Sequence, residues 1–233
     1  LTKKLDLVHL IACCIVTVIV GLWLKQTYKG DWYEFAGFVT GVVGVYLVAV
    51  EHIINWPVGL VNVAIYGYVF YTSRLFADMS LQVFFFALGV QGWWMWAQGG
   101  QNKTELKITS IPATWWVGIA ISLAAGTAIY YPIIKHFNGA APFLDSLLTV
   151  ASIIAQLLLN AKKLENWIIW IVVDIVYIPL YISRNLYSTA VLYAILLALA
   201  ISGLIGWIKT YRKSTPVLGE TMETIYPRDH LSP

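Results

Sequence analysis

The stretch EHIINWPVGLVNVAIYGY, residues 51–68, returns in worn form as KKLENWIIWIVVDIVYIP, residues 162–179, and this recurrence organises the whole chain. The offset is 111 throughout (162 − 51), without gaps. It carries Asn55-Trp56 onto Asn166-Trp167, Tyr66 onto Tyr177, Leu75 onto Leu186, Leu81 onto Leu192, Gly92 onto Gly203 and Trp96 onto Trp207. Upstream it places Glu34 on Asp145 and Val39 on Val150, so the repeated units are 33–97 and 144–208. In a membrane chain such duplication points to a transporter.

The surroundings are those of a membrane protein. Of 233 residues, 59% are hydrophobic and only 12% charged, with a mean hydropathy of +0.73, a composition that excludes a soluble domain. Apolar runs sufficient to cross ~30 Å of hydrocarbon lie near Val8–Leu24, Tyr33–Val50, Pro57–Tyr71, Met79–Ala97, Ala113–Ile134, Leu144–Asn160, Trp167–Ser183 and Ser188–Ile208. They are too long and continuous for barrel strands, and lipid obliges the backbone to bond internally, so the expected fold is an all-α membrane protein of about eight transmembrane helices. The first run follows Lys3 and Lys4 as a secretory signal would, but no small-residue cleavage site follows Gly21-Leu22-Trp23-Leu24.

A second three-helix unit directly after the first would enter the membrane upside down. One intervening helix restores its direction, and Ala113–Ile134 supplies it. The expected plan is therefore an N-terminal extra helix and loop (1–32), a first repeat (33–97), a loop and linker helix (98–143), a second repeat (144–208) and a tail (209–233), three plus one plus three in parallel orientation. Ten basic residues fall on one side (Lys3, Lys4, Lys103, Lys107, Lys162, Lys163, Lys209, Arg212, Lys213, Arg228) and five on the other (Lys25, Lys29, Arg74, Lys135, Arg184). The excess places both termini in the cytoplasm, and the tail from Ser214 reads as disordered. The net charge of +3 follows topology and implies no nucleic acid.

Familiar catalytic signals are missing. Cys13-Cys14 are adjacent in an apolar helix, point to different sides and read as packing residues rather than as a disulfide or metal site. Asn102-Lys103-Thr104 matches a glycosylation acceptor but falls on the expected cytoplasmic side. No phosphate-binding glycine loop and no GxSxG elbow occur.

What remains is polar and aromatic chemistry at membrane depth. Gly59, Asn62 and Tyr66 share one helix face, and Trp170, Asp174 and Tyr177 share the corresponding face of the second repeat. On the next helix Gln82, Phe85, Phe86, Gly89, Trp93 and Trp96 form a broad face, and the offset sets Tyr193 at the place of Gln82. Asn62 alone serves equally as interhelical glue or as a ligand group. An aspartate at mid-helix costs about 2.5–3.5 kcal/mol on insertion scales, so Asp174 favours a site or a wet cavity. Gln91, half a turn from Gln82, reads as helix packing or a subunit contact; Glu51, His52 and Glu165 read as solvated helix ends; Asp145 and Ser146 read equally as a helix cap and dipole partner or as site residues.

The segments Asn55-Trp56-Pro57-Val58-Gly59-Leu60-Val61-Asn62, Leu81-Gln82-Val83-Phe84-Phe85-Phe86, Gly92-Trp93-Trp94-Met95-Trp96, Phe143-Leu144-Asp145-Ser146 and Glu165-Asn166-Trp167-Ile168-Ile169-Trp170 resemble the PnuC-type nicotinamide riboside transporters over residues 33–208. The resemblance implies a SWEET-like fold, uptake of a vitamin precursor across a bacterial inner membrane by facilitated diffusion, trapping by a cytoplasmic kinase, a homotrimer, and no cofactor or metal. Relatives carry thiamine or riboflavin, so these remain alternatives on the same fold. The substrate's flat cationic pyridinium, carboxamide and ribose call for aromatic faces, amides and hydroxyl partners. The chain offers Trp56, Trp167 or Trp170 for stacking, Asp174 as counter-charge, Asn62 and Gln82 as amide partners, and Tyr66, Phe85, Tyr177 and Tyr193 around them. An intramembrane aspartate hydrolase using Asp145 and Asp174 would need the two carboxylates facing each other, and no GxGD-like motif accompanies them. A receptor or purely structural bundle leaves the duplicated polar stripe without a purpose.

Overall fold

The computed structural model describes residues 6–72, 76–100, 106–136, 141–183 and 185–214. The glycosylation sequon at Asn102, the basic residues Lys3, Lys4, Arg74, Lys103, Arg184 and Arg228, and the tail beyond Ser214 lie outside them.

Among the described residues eight helices follow one another: α1 (Leu7–Tyr28), α2 (Trp32–Ala49), α3 (Asn55–Thr72), α4 (Phe76–Gln98), α5 (Trp115–His136), α6 (Pro142–Asn160), α7 (Glu165–Ser183) and α8 (Tyr187–Ser214). Six of them, α1, α2 and α5–α8, are long and apolar enough to cross a membrane. The two that fall short, α3 and α4, carry the Asn62 and Gln82 faces, and that polarity lowers their hydropathy.

Local chemistry sets the helix ends. The Asp6 side chain caps α1 by accepting from the backbone N–H groups of Val8 (3.1 Å) and His9 (3.3 Å). The His9 ring lies 2.7 Å from the same carboxylate, and its hydrogen bond draws the Asp6 carboxyl below its ordinary pKa. At the end of α2 the chain reverses through Glu51 at φ 59°, and at the end of α6 through Lys162 at φ 49°, two positions 111 apart (162 − 51). After each turn an asparagine reaches back over it: Asn55 Nδ2 donates to His52 O (2.8 Å) and Asn166 Nδ2 to Lys163 O (2.6 Å). Adding 111 to the bounds of α3 gives 166 and 183, beside 165 and 183 for α7.

Packing also comes in corresponding sets. Helix α2 packs on α3 and α3 on α4, as α6 packs on α7 and α7 on α8; between halves α2 meets α8 and α4 meets α6. Helix α1 leans on α2 through Leu24, Phe38 and Val42, while α5 leans on α6. The glycines of α2 serve contacts within the chain: a Cβ at Gly37 would stand 2.9 Å from the Tyr66 ring, and one at Gly41 3.4 Å from Asn62 Nδ2.

The main core is tryptophan. Trp56 meets Trp96 edge-on (5.3 Å between centroids, 85°), Trp167 meets Trp207 in the same way (5.5 Å, 89°), and Trp96 and Trp207 join the pairs at 6.4 Å. Gly92 and Gly203 make room for it, since a Cβ at Gly203 would lie 2.6 Å from the Trp167 ring and one at Gly92 would run into Trp56.

The linker before α5 is tied down on this core. Thr109 N donates to Lys162 O (3.1 Å) and Leu164 N to Thr109 O (3.0 Å), a single parallel β-bridge. The Glu165 carboxylate accepts from Ser110 Oγ and from Ile111 N (3.1 Å). Glu51, His52 and Glu165 are thus not solvated helix ends: His52 and Glu165 are 9% and 6% exposed, and Glu51 pairs with Lys162. Each helix end is covered by a turn or linker from elsewhere in the chain, and sequence spacing does not reveal that cover.

Candidate transport cavity

A cavity of about 1270 Å³ runs between the two halves. Its mouth lies where α1 turns into α2 and α7 into α8, with Tyr28, Asp31, Asn185 and Tyr187 at the rim and the Tyr28 and Tyr187 rings stacked at 6.2 Å. Its floor is formed by Asn55, Trp56, Asn166 and Trp167, directly above the tryptophan core. The opposite end of the molecule, which carries the α2–α3 and α6–α7 turns, will be termed the base.

The ten side chains expected to bind substrate line this one cavity, whereas of the broad α4 face Phe86 and Trp93 are exposed and outside its lining and Trp96 belongs to the tryptophan core. From the first half come Trp56, Asn62, Tyr66, Gln82 and Phe85. From the second come Trp167, Trp170, Asp174, Tyr177 and Tyr193. Their duties differ. Asn62 is glue and lining together: Nδ2 donates to Gly37 O (2.7 Å) and Thr40 Oγ1 (2.9 Å), tying α3 to α2, while its carbonyl oxygen has no donor among the described residues. The Gln82 amide has no hydrogen-bond partner among the described residues. Trp56 and Trp167, 4% and 2% exposed, pack edge-on with Trp96 and Trp207, so little of either ring is open to the cavity. Trp170 is half-buried and offers the more open indole.

Asp174 is the electrostatic centre. Its residue is 3% exposed, it lines the cavity at mid-helix, and no hydrogen bond or ion pair reaches it from the described residues. Such a group costs free energy unless something brought into the cavity neutralises it. Among the described residues the lysine on the wall is Lys25, which stands at the mouth with its ammonium 4.1 Å over the Trp32 ring. Near Asp174 the wall is aromatic. Tyr177, Tyr181 and Tyr193 form a mutual cluster with centroids 4.8–5.3 Å apart. Tyr181 was not singled out in the sequence, although it lies one helical turn beyond Tyr177, a spacing that could have suggested it. Glu34 and Asp145, equivalent under the 111 offset, both line the cavity in the first turns of α2 and α6.

Gln91 stands apart. It accepts from Asn160 Nδ2 (3.2 Å), which also donates to Leu88 O (2.8 Å), so it fastens α4 to α6 outside the cavity. Gln91→Ala is expected to leave substrate affinity within about twofold of wild type by calorimetry, because loss of one neutral hydrogen bond away from the ligand changes packing and not ligand contacts.

The sequence model of the nicotinamide mononucleotide transporter family matches residues 31–209. The chain belongs to that family. The nicotinamide riboside transporter PnuC of Escherichia coli (strain K12) is 30% identical over 212 residues, covering 80% of this chain and 89% of the relative. PnuC of Neisseria mucosa is 29% identical over 195 residues (78% and 74%), and the riboflavin/roseoflavin transporter RibM of Streptomyces davaonensis 27% over 192 residues (80% and 90%). Among solved structures, the crystal structure of the vitamin B3 transporter PnuC superposes with a TM-score of 0.73 at 25% identity, covering 91% of this chain and 95% of that one. As a member of the nicotinamide mononucleotide transporter family with this fold, the protein is a multi-pass membrane transporter and not an enzyme.

Proposed function

We propose that the protein carries nicotinamide riboside across a bacterial inner membrane. The observation that supports this most is Asp174, a buried carboxylate without a hydrogen-bond or ion-pair partner among the described residues, in a cavity walled by tyrosine, tryptophan and two amides. A flat monocation carrying an amide and hydroxyls supplies what each wall group lacks. The pyridinium compensates Asp174 and stacks on an indole such as that of Trp170, gaining about 2 kcal/mol or more where desolvated. The Asn62 carbonyl and the Gln82 amide meet carboxamide or ribose, with Tyr66, Phe85, Tyr177 and Tyr193 enclosing the rest.

The family's name specifies the mononucleotide and the relatives' names the riboside, and electrostatics favours the latter. A phosphate requires cations or an array of N–H donors. The wall instead carries Asp31, Glu34, Asp145 and Asp174, and Lys25 lies over an indole. Riboflavin, suggested by the RibM relative, is neutral and would leave Asp174 uncompensated.

The two repeats rock about a pseudo-two-fold axis along the membrane normal, opening the cavity alternately to either side. The mouth is periplasmic and both termini cytoplasmic, in keeping with the ten-to-five basic asymmetry. Phosphorylation of the riboside by a cytoplasmic kinase then traps it, and the chains assemble as a homotrimer as in the family resemblance. Transport needs no ion: a cation gains about 2.3 kcal/mol per 100 mV on moving inward. Radiolabelled nicotinamide riboside is expected to equilibrate into sealed proteoliposomes with identical solutions on both sides, and excess unlabelled riboside, but neither mononucleotide nor riboflavin, should compete. Uptake that requires an imposed proton or sodium gradient at clamped potential, or stronger competition by riboflavin, would reject the proposal.

A further inference from the structure

At the base, Lys162 Nζ lies 3.2 Å from Glu51 Oε2, with the side chains 11% and 10% exposed, and the same ammonium sits 4.4 Å above the Trp96 ring. The two residues are equivalents under the internal offset (51 + 111 = 162), each at the left-handed position of its turn. Equivalent residues of two repeats can touch only close to the axis relating the repeats, because elsewhere the repetition holds them apart. The pair therefore marks where the halves meet on the line along which a solute would have to leave.

The cavity wall ends one layer above it, at Val48, Trp56, Leu159 and Trp167. Beneath that layer come Trp96 and Trp207, bridging the halves at 6.4 Å, and then the ion pair. Of the described ion pairs, Asp6–His9 is local to the start of α1, and Glu51–Lys162 joins the halves. We propose that Glu51, Lys162 and Trp96 are the lock of a base-side gate, closed here and parted in each cycle. This rests on the alternating-access reading but assigns roles to residues outside the substrate cavity.

The lock is cationic and aromatic together, which makes a specific prediction about substitutions. Lys162→Arg keeps the charge and the stacking and should remain closed, whereas Lys162→Met keeps the length and loses both. Glu51→Gln removes the counter-charge alone. With Cys13 and Cys14 replaced by serine, Gly59→Cys supplies a reporter that lines the cavity where an added Cβ meets nothing within 4 Å. Labelling rates with an impermeant thiol reagent are measured separately from the mouth side and the base side, in sealed vesicles of each orientation, on protein that is monodisperse after extraction.

Lys162→Met and Glu51→Gln should each speed base-side labelling about tenfold, the change expected when roughly 1.4 kcal/mol is removed from one of two states, and slow mouth-side labelling. Lys162→Arg should match wild type. Unchanged base-side labelling in Lys162→Met and Glu51→Gln overturns the lock. So does an equal increase on both sides, or an equal increase in Lys162→Arg, since either means general loosening. Labelling requires no ligand, so an incorrect substrate assignment would show in the uptake assay and leave this result standing.

Discussion

Asp174→Ala is expected to weaken nicotinamide riboside binding by about 10- to 100-fold, since a hydrogen bond or close contact to a charged group contributes about 1.5–3 kcal/mol. The same substitution should leave the empty protein as stable as wild type or more so. Asp174 is 3% exposed and has no ion pair or hydrogen bond among the described residues, so its removal relieves a desolvation cost rather than a bond. That opposite movement of affinity and stability is the signature of a group kept for a ligand. Calorimetry gives the affinity and thermal unfolding in detergent the stability. Wild-type affinity in Asp174→Ala would move the counter-charge elsewhere, and a large fall in melting temperature would make Asp174 a structural residue.

Trp207→Ala should be the most damaging single truncation in the core. Trp207 is 0% exposed and touches both Trp96 and Trp167, so its loss unseats the joint between the halves as well as emptying its own volume. Removing a buried tryptophan costs about 3–5 kcal/mol in well-packed cores. Trp207→Phe, which keeps an aromatic face, should recover most of the loss. The measure is the unfolding midpoint together with the monodisperse fraction after extraction. A midpoint in Trp207→Ala within a few degrees of wild type would mean that the tryptophan core is loosely packed.

The helices were legible because lipid leaves few choices: an apolar run of sufficient length must be a helix, and the runs near Val8–Leu24 and Ala113–Ile134 became α1 and α5 with ends moved by a few residues. The lining was legible for a different reason. Polar side chains at membrane depth are rare, and the offset set Gly59 on Trp170, Tyr66 on Tyr177 and Gln82 on Tyr193, so two weak patterns became one strong pattern. Asn62 shows where that reasoning stops. Spacing put it on the cavity face, but its grip on Gly37 and Thr40 depends on how closely α2 and α3 approach, which only coordinates give.

The base was not legible at all. Glu51 and Glu165 occupy helix ends, where charge is ordinarily solvated, and nothing local identifies Lys162 or Ser110 as their partners. The linker contact is equally silent in sequence, because one β-bridge at Thr109 has no periodicity. Trp56 and Trp167 look like stacking platforms from their motifs. Their commitment to Trp96 and Trp207 follows from Gly92 and Gly203, whose missing side chains admit the indoles.

The opposite charges at 51 and 162 also bear on how far each half depends on the other. A three-helix unit pairing with a copy of itself would bring identical residues together at that crossing, two glutamates or two lysines, and like charges at 3.2 Å repel. Within one chain the two positions are free to differ, and the contact is attractive. Neither half could rebuild it with an identical twin, so this ion pair depends on two unlike halves in a way that the corresponding helix packings around it do not.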